Sequence, residues 1–291
     1  MQDYVITCCS TVDMDLDFFE NNNIAFIPFT FTLNGQDYED DYGKSYKLED
    51  FYNAMVKGAV PTTSQVNVAR YMDFWRPYLN KGQNIIHLTL SSGISGSYNS
   101  AKIASETLAD EYETKVYVID SLAASSGYGM LVKLAKDNLD KGMSLEDNVK
   151  WIEEHKLNIH HWFFTTDLTY LVRGGRVSKV SGFLGSALKI CPLLNVDFEG
   201  HLIPRSKHRG KKKVIQACVD KMVEHAPSDY DGYVYMSHSE VLEDANEVAT
   251  LVKEKFPKVK EVKIYNIGTV IGAHTGPGTV ALFFVGDKRV D

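Results

Sequence analysis

Residues 84–108 constrain the fold more than any other stretch. Asn84 to Leu90 is an apolar run of strand length. Ser91-Ser92-Gly93-Ile94-Ser95 is a loop of small hydroxyl residues and glycine. Gly96 to Leu108 then has helical periodicity, with Tyr98, Ala101, Ala104 and Leu108 on one face. A buried strand leading through a short loop into a helix is half of a β-α-β unit. The alternation recurs. Val5-Ile6-Thr7 begins a strand, and Ser10-Thr11-Val12-Asp13 reads as a capping-box variant opening a helix over Met14 to Glu20. Lys115 to Asp120 is followed by a second small-residue loop, Ser121 to Ser126, and a helix to about Asn138; Ser144 caps another helix ending near His155. Such spacing predicts a largely parallel sheet, whose ligands sit beyond the carboxyl ends of its strands. Loop N–H groups and hydroxyls at a helix start favour an anion there.

Between the first two strands lies a different pattern. Ile24 to Leu33 is apolar and β-rich, Asn34-Gly35 is a hairpin turn signal, and the return strand runs into the acidic, aromatic stretch Tyr38 to Tyr46. Leu48 to Val56 and Val66 to Leu79 read as helices, so Thr63 and Ser64 are expected just before the start of the second. From about residue 160 strict alternation stops. Ile159 to Thr165 is a strand; Leu168 to Leu188 is punctuated by Arg173-Gly174-Gly175-Arg176, Gly182 and Gly185; Cys191 to Lys207 reads as a hairpin turning at Glu199-Gly200. A basic run, Arg205 to Lys213, leads into a helix, and strands are expected at Gly232 to Ser237, Val259 to Ile267 and Thr279 to Val285. The expected class is α/β with two domains: a mostly parallel α/β domain over 1–158, carrying a β-hairpin insertion near 27–47, and an α+β domain over 159–291.

Composition excludes several functions. The formal net charge of −7 argues against general binding to nucleic acid or anionic membrane. No apolar run approaches the roughly 18 residues of a membrane span, and the N-terminus has no basic region of the kind that opens a signal peptide; a cytoplasmic protein without stable membrane insertion is expected. The four cysteines form no C-x-x-C and have no histidines at ligand spacing, so they are expected as free, buried thiols with no metal. Gly43-Lys44-Ser45 resembles the end of a phosphate loop, but Tyr38 stands where the first glycine belongs, so no nucleotide site is read there.

Three polar clusters remain: Pro61 to Gln65, Ser91 to Ser97, and Gly272 to Gly278. Thr63-Ser64-Gln65, Ser91-Ser92-Gly93-Ile94-Ser95-Gly96-Ser97-Tyr98, Leu171 to Ser178 (LVRGGRVS) and Ile267 through Gly278 occur in the order of the DegV family, which the chain resembles over nearly its whole length. The resemblance implies two α/β domains with a long-chain fatty acid such as palmitate, stearate or oleate between them. It implies that Thr63 and Ser95 bind the carboxylate, with His274 close by and Ser64, Gly96 and Arg173 completing the site. It also implies a non-catalytic bacterial carrier, without a cofactor, that presents the carboxylate to a fatty acid kinase for acyl-phosphate formation in fatty acid uptake and phospholipid metabolism. Two departures stand out: Cys9 replaces the family's usual aspartate, near the expected head-group pocket, and Val66 replaces a proline.

Each residue also has a plainer reading. Thr63 and Ser95 are candidates for ordinary N-caps, His274 for a satisfied loop histidine, and Arg173 and Arg176 for surface residues beside a helix end. The basic run is either a solvated face or a docking patch for an acidic partner. Two competing functions follow. One is a serine hydrolase acting on lipid esters, because Gly93-Ile94-Ser95-Gly96-Ser97 approaches a nucleophile elbow while lacking its final glycine. The other is a lipid binder or sensor without a kinase.

Overall fold

The computed structural model describes residues 4–178 and 190–290; the expected breaks at Gly182 and Gly185 lie outside these residues. The strands are β1 (Tyr4–Cys9), β2 (Ala25–Ile27), β3 (Thr30–Leu33), β4 (Gln36–Glu39), β5 (Thr62–Ser64), β6 (Asn84–Thr89), β7 (Val116–Asp120), β8 (Ile159–Thr165), β9 (Ile190–Val196), β10 (Leu202–Arg209), β11 (Tyr233–His238), β12 (Glu261–Asn266) and β13 (Thr279–Val285). The helices are α1 (Leu16–Asn22), α2 (Leu48–Val56), α3 (Val68–Leu79), α4 (Ser97–Ala109), α5 (Ser125–Asp140), α6 (Leu145–His155), α7 (Thr169–Arg173), α8 (Lys211–His225), α9 (Leu242–Lys255) and α10 (Thr269–Thr275).

Two main sheets result. The first has order β2-β1-β6-β7 and is parallel throughout, as the alternation predicts. The second has order β10-β9-β8-β13-β11-β12 and is antiparallel except for the β11–β12 pair. Its pleat separates two environments. Trp162, Phe164, Met236, Leu282 and Phe284 point outward into a core covered by α8 and α9. Phe163, Leu194, Tyr235, Ala281 and Phe283 point inward and share one core with the parallel sheet. Between the two sheets runs α5, buried along most of its length and packed on β1 as well as β8, β11 and β13.

A third sheet, β4-β3-β5, grows out of the hairpin. Asn34 and Gly35 both have positive φ (52° and 81°), the geometry of a two-residue hairpin turn. Thr63 therefore lies on a strand, paired with Phe31, and not before a helix; α3 is capped instead by Asn67, whose side chain accepts from Arg70 N–H. The capping box expected at Ser10 is likewise replaced: Ser10–Val12 form a 3-10 turn, and Asp15 caps α1 by accepting from Phe18 N–H. The Ser10 hydroxyl and the Asp13 carboxylate are spent on long-range contacts described below.

Two close approaches hold the sheets together. Gly93 in the loop after β6 meets Gly200 in the β9–β10 turn so tightly that a Cβ at Gly93 would stand 2.8 Å from the Gly200 carbonyl carbon. Ser91 Oγ donates to Gly200 O at 2.9 Å across the same contact. Nearby, the buried guanidinium of Arg289 donates to the carbonyls of Val196, Asp197 and Leu122, bridging both halves. The adjacent Asp287 accepts from His160 and His225. The two imidazoles stack at 21° with ring centroids 4.5 Å apart. All four cysteines are free and buried.

Candidate functional site

A cavity of about 390 Å³ lies over the inner face of the six-stranded sheet, in the size range of small-molecule sites. Its floor includes Phe163, Thr279, Ala281 and Phe283; its roof includes Val270, Ile271, His274 and Thr275 of α10. The ends of two other elements open onto it: Thr63 and Ser64 from β5, and Ser95 and Gly96 from the loop before α4.

Five of the six sequence-predicted residues therefore line one cavity: Thr63, Ser64, Ser95, Gly96 and His274. Thr63 Oγ1 and His274 Nε2 lie 2.8 Å apart, joining residues 211 positions distant along the chain. Ser95 Oγ accepts from Ser97 N–H at 3.2 Å, which leaves its own proton available. Gly96 is the N-cap of α4 and brings no side-chain cap, so beyond Ser97 N–H, which Ser95 takes, the helix start stays open. Burial, with Arg176 nearby, pushes His274 down to about 4, so the imidazole is neutral near pH 7. Its Nδ1 has no hydrogen-bond partner among the described residues and rests against Gly174, where a Cβ would come within 2.3 Å of it.

Arg173 is the sixth residue, and it lies outside this wall. It borders an adjoining cavity of about 230 Å³, shared with Thr63, Arg176 and His274, and its guanidinium sits 5.6 Å from the Tyr170 ring centroid. Arg176 is the arginine that lines both cavities; its Nε donates to Ile94 O at 3.2 Å and its terminal nitrogen to Gly174 O at 2.6 Å. It thus fixes the loop that carries Ser95 to the segment that packs on His274.

Sequence reasoning missed α10. The plainer reading of His274 is a loop histidine, yet Thr269–Thr275 form two helical turns that carry it. What makes this short helix viable is non-local. Asp13 accepts from Gly268 N–H at 2.9 Å and from Ser125 Oγ; Asp40 accepts from Thr269 N–H at 3.2 Å, from Thr269 Oγ1 at 2.6 Å and from Ser10 Oγ at 2.7 Å. Two buried carboxylates thus satisfy the N-terminal donors that seven residues cannot satisfy alone. Burial raises both acids above the usual carboxylate range, and for Asp13 the Asp40 charge adds to the rise.

Cys9 is not at the cavity. Its fully buried thiol faces Tyr71 Oη at 3.4 Å and His87 Nε2 at 3.7 Å inside the parallel sheet's core, and burial raises it to about 11. The Cys9 side chain therefore forms no part of the cavity wall.

The DegV family model, described as an uncharacterised protein of the DegV family, matches residues 4–287. The chain belongs to the DegV family. A DegV domain-containing protein of Clostridium perfringens is 34% identical over 290 residues, 99% of each chain. A Thermotoga maritima structure, reported to reveal fatty acid binding function, superposes with a TM-score of 0.86 at 30% identity, covering 99% of this chain and 100% of that one. The Streptococcus pneumoniae fatty acid kinase B3 protein, loaded with linoleic acid, superposes with a TM-score of 0.84 at 25% identity, covering 98% and 99%. This DegV protein has the mixed α/β architecture of those two structures, and no helix among its described residues is long and apolar enough to cross a membrane.

Proposed function

We propose that this DegV protein binds a long-chain fatty acid in the 390 Å³ cavity, with the carboxylate at Thr63, Ser95 and the open start of α4. The observation that carries the proposal is the convergence of Thr63, Ser95 and His274, from three distant segments, on the wall of one mostly apolar cavity, with Thr63 and His274 in contact. A buried carboxylate must be fully hydrogen-bonded. Neutral His274 offers Nε2–H to Thr63 Oγ1, which turns the threonine proton toward the ligand. Ser95 donates a second proton, and α4 contributes its N-terminal N–H groups. The tail supplies affinity: about 0.8 kcal/mol per buried methylene, or about 10 kcal/mol for a chain of roughly 16 carbons before association costs.

The division at 158/159 belongs to the same proposal, with the ligand between a parallel-sheet domain and a domain built on the six-stranded sheet. So does the partner. The carrier presents the carboxylate to a fatty acid kinase in the bacterial cytoplasm, and the phosphate cradle and metal ligands of phosphoryl transfer lie on the kinase. The likeness to the streptococcal kinase-associated protein supports this reading. Arg173, at the outer cavity, and the exposed basic face of β10 and α8 are the surfaces we assign to an acidic partner.

Hydrolysis through Ser95 fits less well. A nucleophilic serine needs a base oriented by a third group. His274 Nε2 is engaged with Thr63, and its Nδ1 meets no carboxylate among the described residues. Native mass spectrometry of protein expressed in a bacterial host tests the carrier reading. A bound mass matching a C14–C18 acid is expected; a persistent sterol or polyketide mass would contradict it. Turnover of p-nitrophenyl esters that disappears in Ser95→Ala would establish the hydrolase instead.

A further inference from the structure

The cavity has a second polar spot, at the opposite end of α10 from His274. Ser125 and Ser237 both line it, and both are at least 95% buried. Their hydroxyls lie 2.9 Å apart, and Ser125 Oγ in turn donates to Asp13. This is a relay with one loose end. With the Ser125 proton committed to Asp13, Ser237 donates to Ser125, and the lone pairs of Ser237 meet no donor among the described residues. If Asp13 carries a proton and the relay runs the other way, the loose end becomes the Ser237 proton. A hydroxyl group can satisfy either arrangement, because it donates and accepts. The neighbouring walls, Ala124, Ile267, Val270 and Ala281, are apolar and cannot.

A plain alkyl chain leaves this spot unmet. Ser125 is accounted for by its bond to Asp13; Ser237 only donates to Ser125, and an aliphatic residue in its place would line such a tunnel at less cost. The position along the chain follows from α10. Gly268, bonded to Asp13, marks the relay's end of the helix, and His274 marks the head-group end. They lie six positions apart, about 9 Å at the helical rise. That distance falls near the middle of an extended long-chain acid.

Resting on the fatty acid reading above, we infer that the ligand class of this protein is an acyl chain bearing a hydroxyl near its middle, with Ser237 and Ser125 as the subsite that meets it. The spot is distinct from the carboxylate cluster and determines which chains are preferred.

The test is competition binding on delipidated protein with stearate, 10-hydroxystearate and 10-methylstearate. The methyl-branched acid controls for bulk at the same carbon. The expected result is that 10-hydroxystearate binds about fivefold or more tighter than 10-methylstearate, and that this ratio collapses toward one in Ser237→Ala. Equal or weaker binding of the hydroxy acid, with stearate still bound, overturns the subsite and leaves the fatty acid reading standing. A preference that survives Ser237→Ala also overturns it. Failure of all three acids to bind removes the fatty acid reading itself. Should Ser237→Ala not fold, a series of 3-, 10- and 16-hydroxy acids on the parent protein decides: a maximum at position 10 supports the subsite, and a flat series or a maximum elsewhere contradicts it.

Discussion

The two ends of α10 are built from the same kinds of side chain and do different work. At its N-terminal end, Ser10, Asp13, Asp40, Ser125 and Thr269 bond mainly to one another and to backbone N–H groups. At its C-terminal end, Thr63, Ser95 and His274 leave donors unspent: the Ser95 hydroxyl proton, the open start of α4, and one proton of the Thr63–His274 pair. Residue type alone does not separate a binding cluster from a structural one. What separates them is whether the fold has already used the hydrogen bonds. A satisfied cluster holds the helix in place; donors left over at Thr63 and Ser95, and the Ser237 hydroxyl beside the closed end, are what we assign to a ligand.

Replacements at the two ends should therefore fail in different ways. The largest effect is expected at the closed end. Asp40→Ala strands Thr269 N–H, Thr269 Oγ1 and Ser10 Oγ, and should cost about 2–4 kcal/mol of stability by denaturant unfolding, with ligand binding lost as α10 loosens. A loss below about 0.5 kcal/mol would mean the carboxylate is not what holds the helix. At the open end, Thr63→Ala and Ser95→Ala should each weaken fatty acid binding by roughly 1–3 kcal/mol while stability stays within about 0.5 kcal/mol of the parent. Full affinity in both variants would place the head group elsewhere.

A smaller effect concerns pH. His274 is depressed to about 4 in the folded protein, and its ordinary value is 6.5. Between those values the unfolded chain takes up a proton that the folded chain refuses, so this histidine withdraws stability as pH falls from 6.5 toward 4. The fully buried His87, depressed to about 3, acts in the same direction, while the raised Asp13 and Asp40 oppose it. His274→Gln isolates one contribution. The parent should lose more stability than the variant between pH 7 and pH 4.5 by urea midpoint, and parallel losses would show that His274 titrates normally in the folded state.

How much of this was legible in the sequence follows from the range of each contact. The β6–α4 unit, the Asn34-Gly35 hairpin, the Ser144 cap and the turn at Gly200 are set by neighbours in the chain, and periodicity and turn chemistry reveal them. The family resemblance brought out Thr63, Ser95 and His274, yet it took coordinates to show Thr63 on a strand. β5 has three residues and exists because β3 offers an edge, which no local pattern announces. α10 was hidden for the same reason, since its caps come from residues 255 and 229 positions away. Ser237 left no trace at all: a single serine at the end of an apolar strand gains meaning only from Ser125 beside it.

The central claim is that the ligand's charged end sits at the open end of α10. Carbon-13 NMR of carboxyl-labelled palmitate in the complex reads that position directly. The account predicts a bound resonance that stays ionised down to about pH 5, below the range where burial without partners would protonate it, and that shifts in both Thr63→Ala and Ser95→Ala. A resonance indifferent to both replacements, but moved by Ser237→Ala, would put the carboxylate at the other end and contradict it.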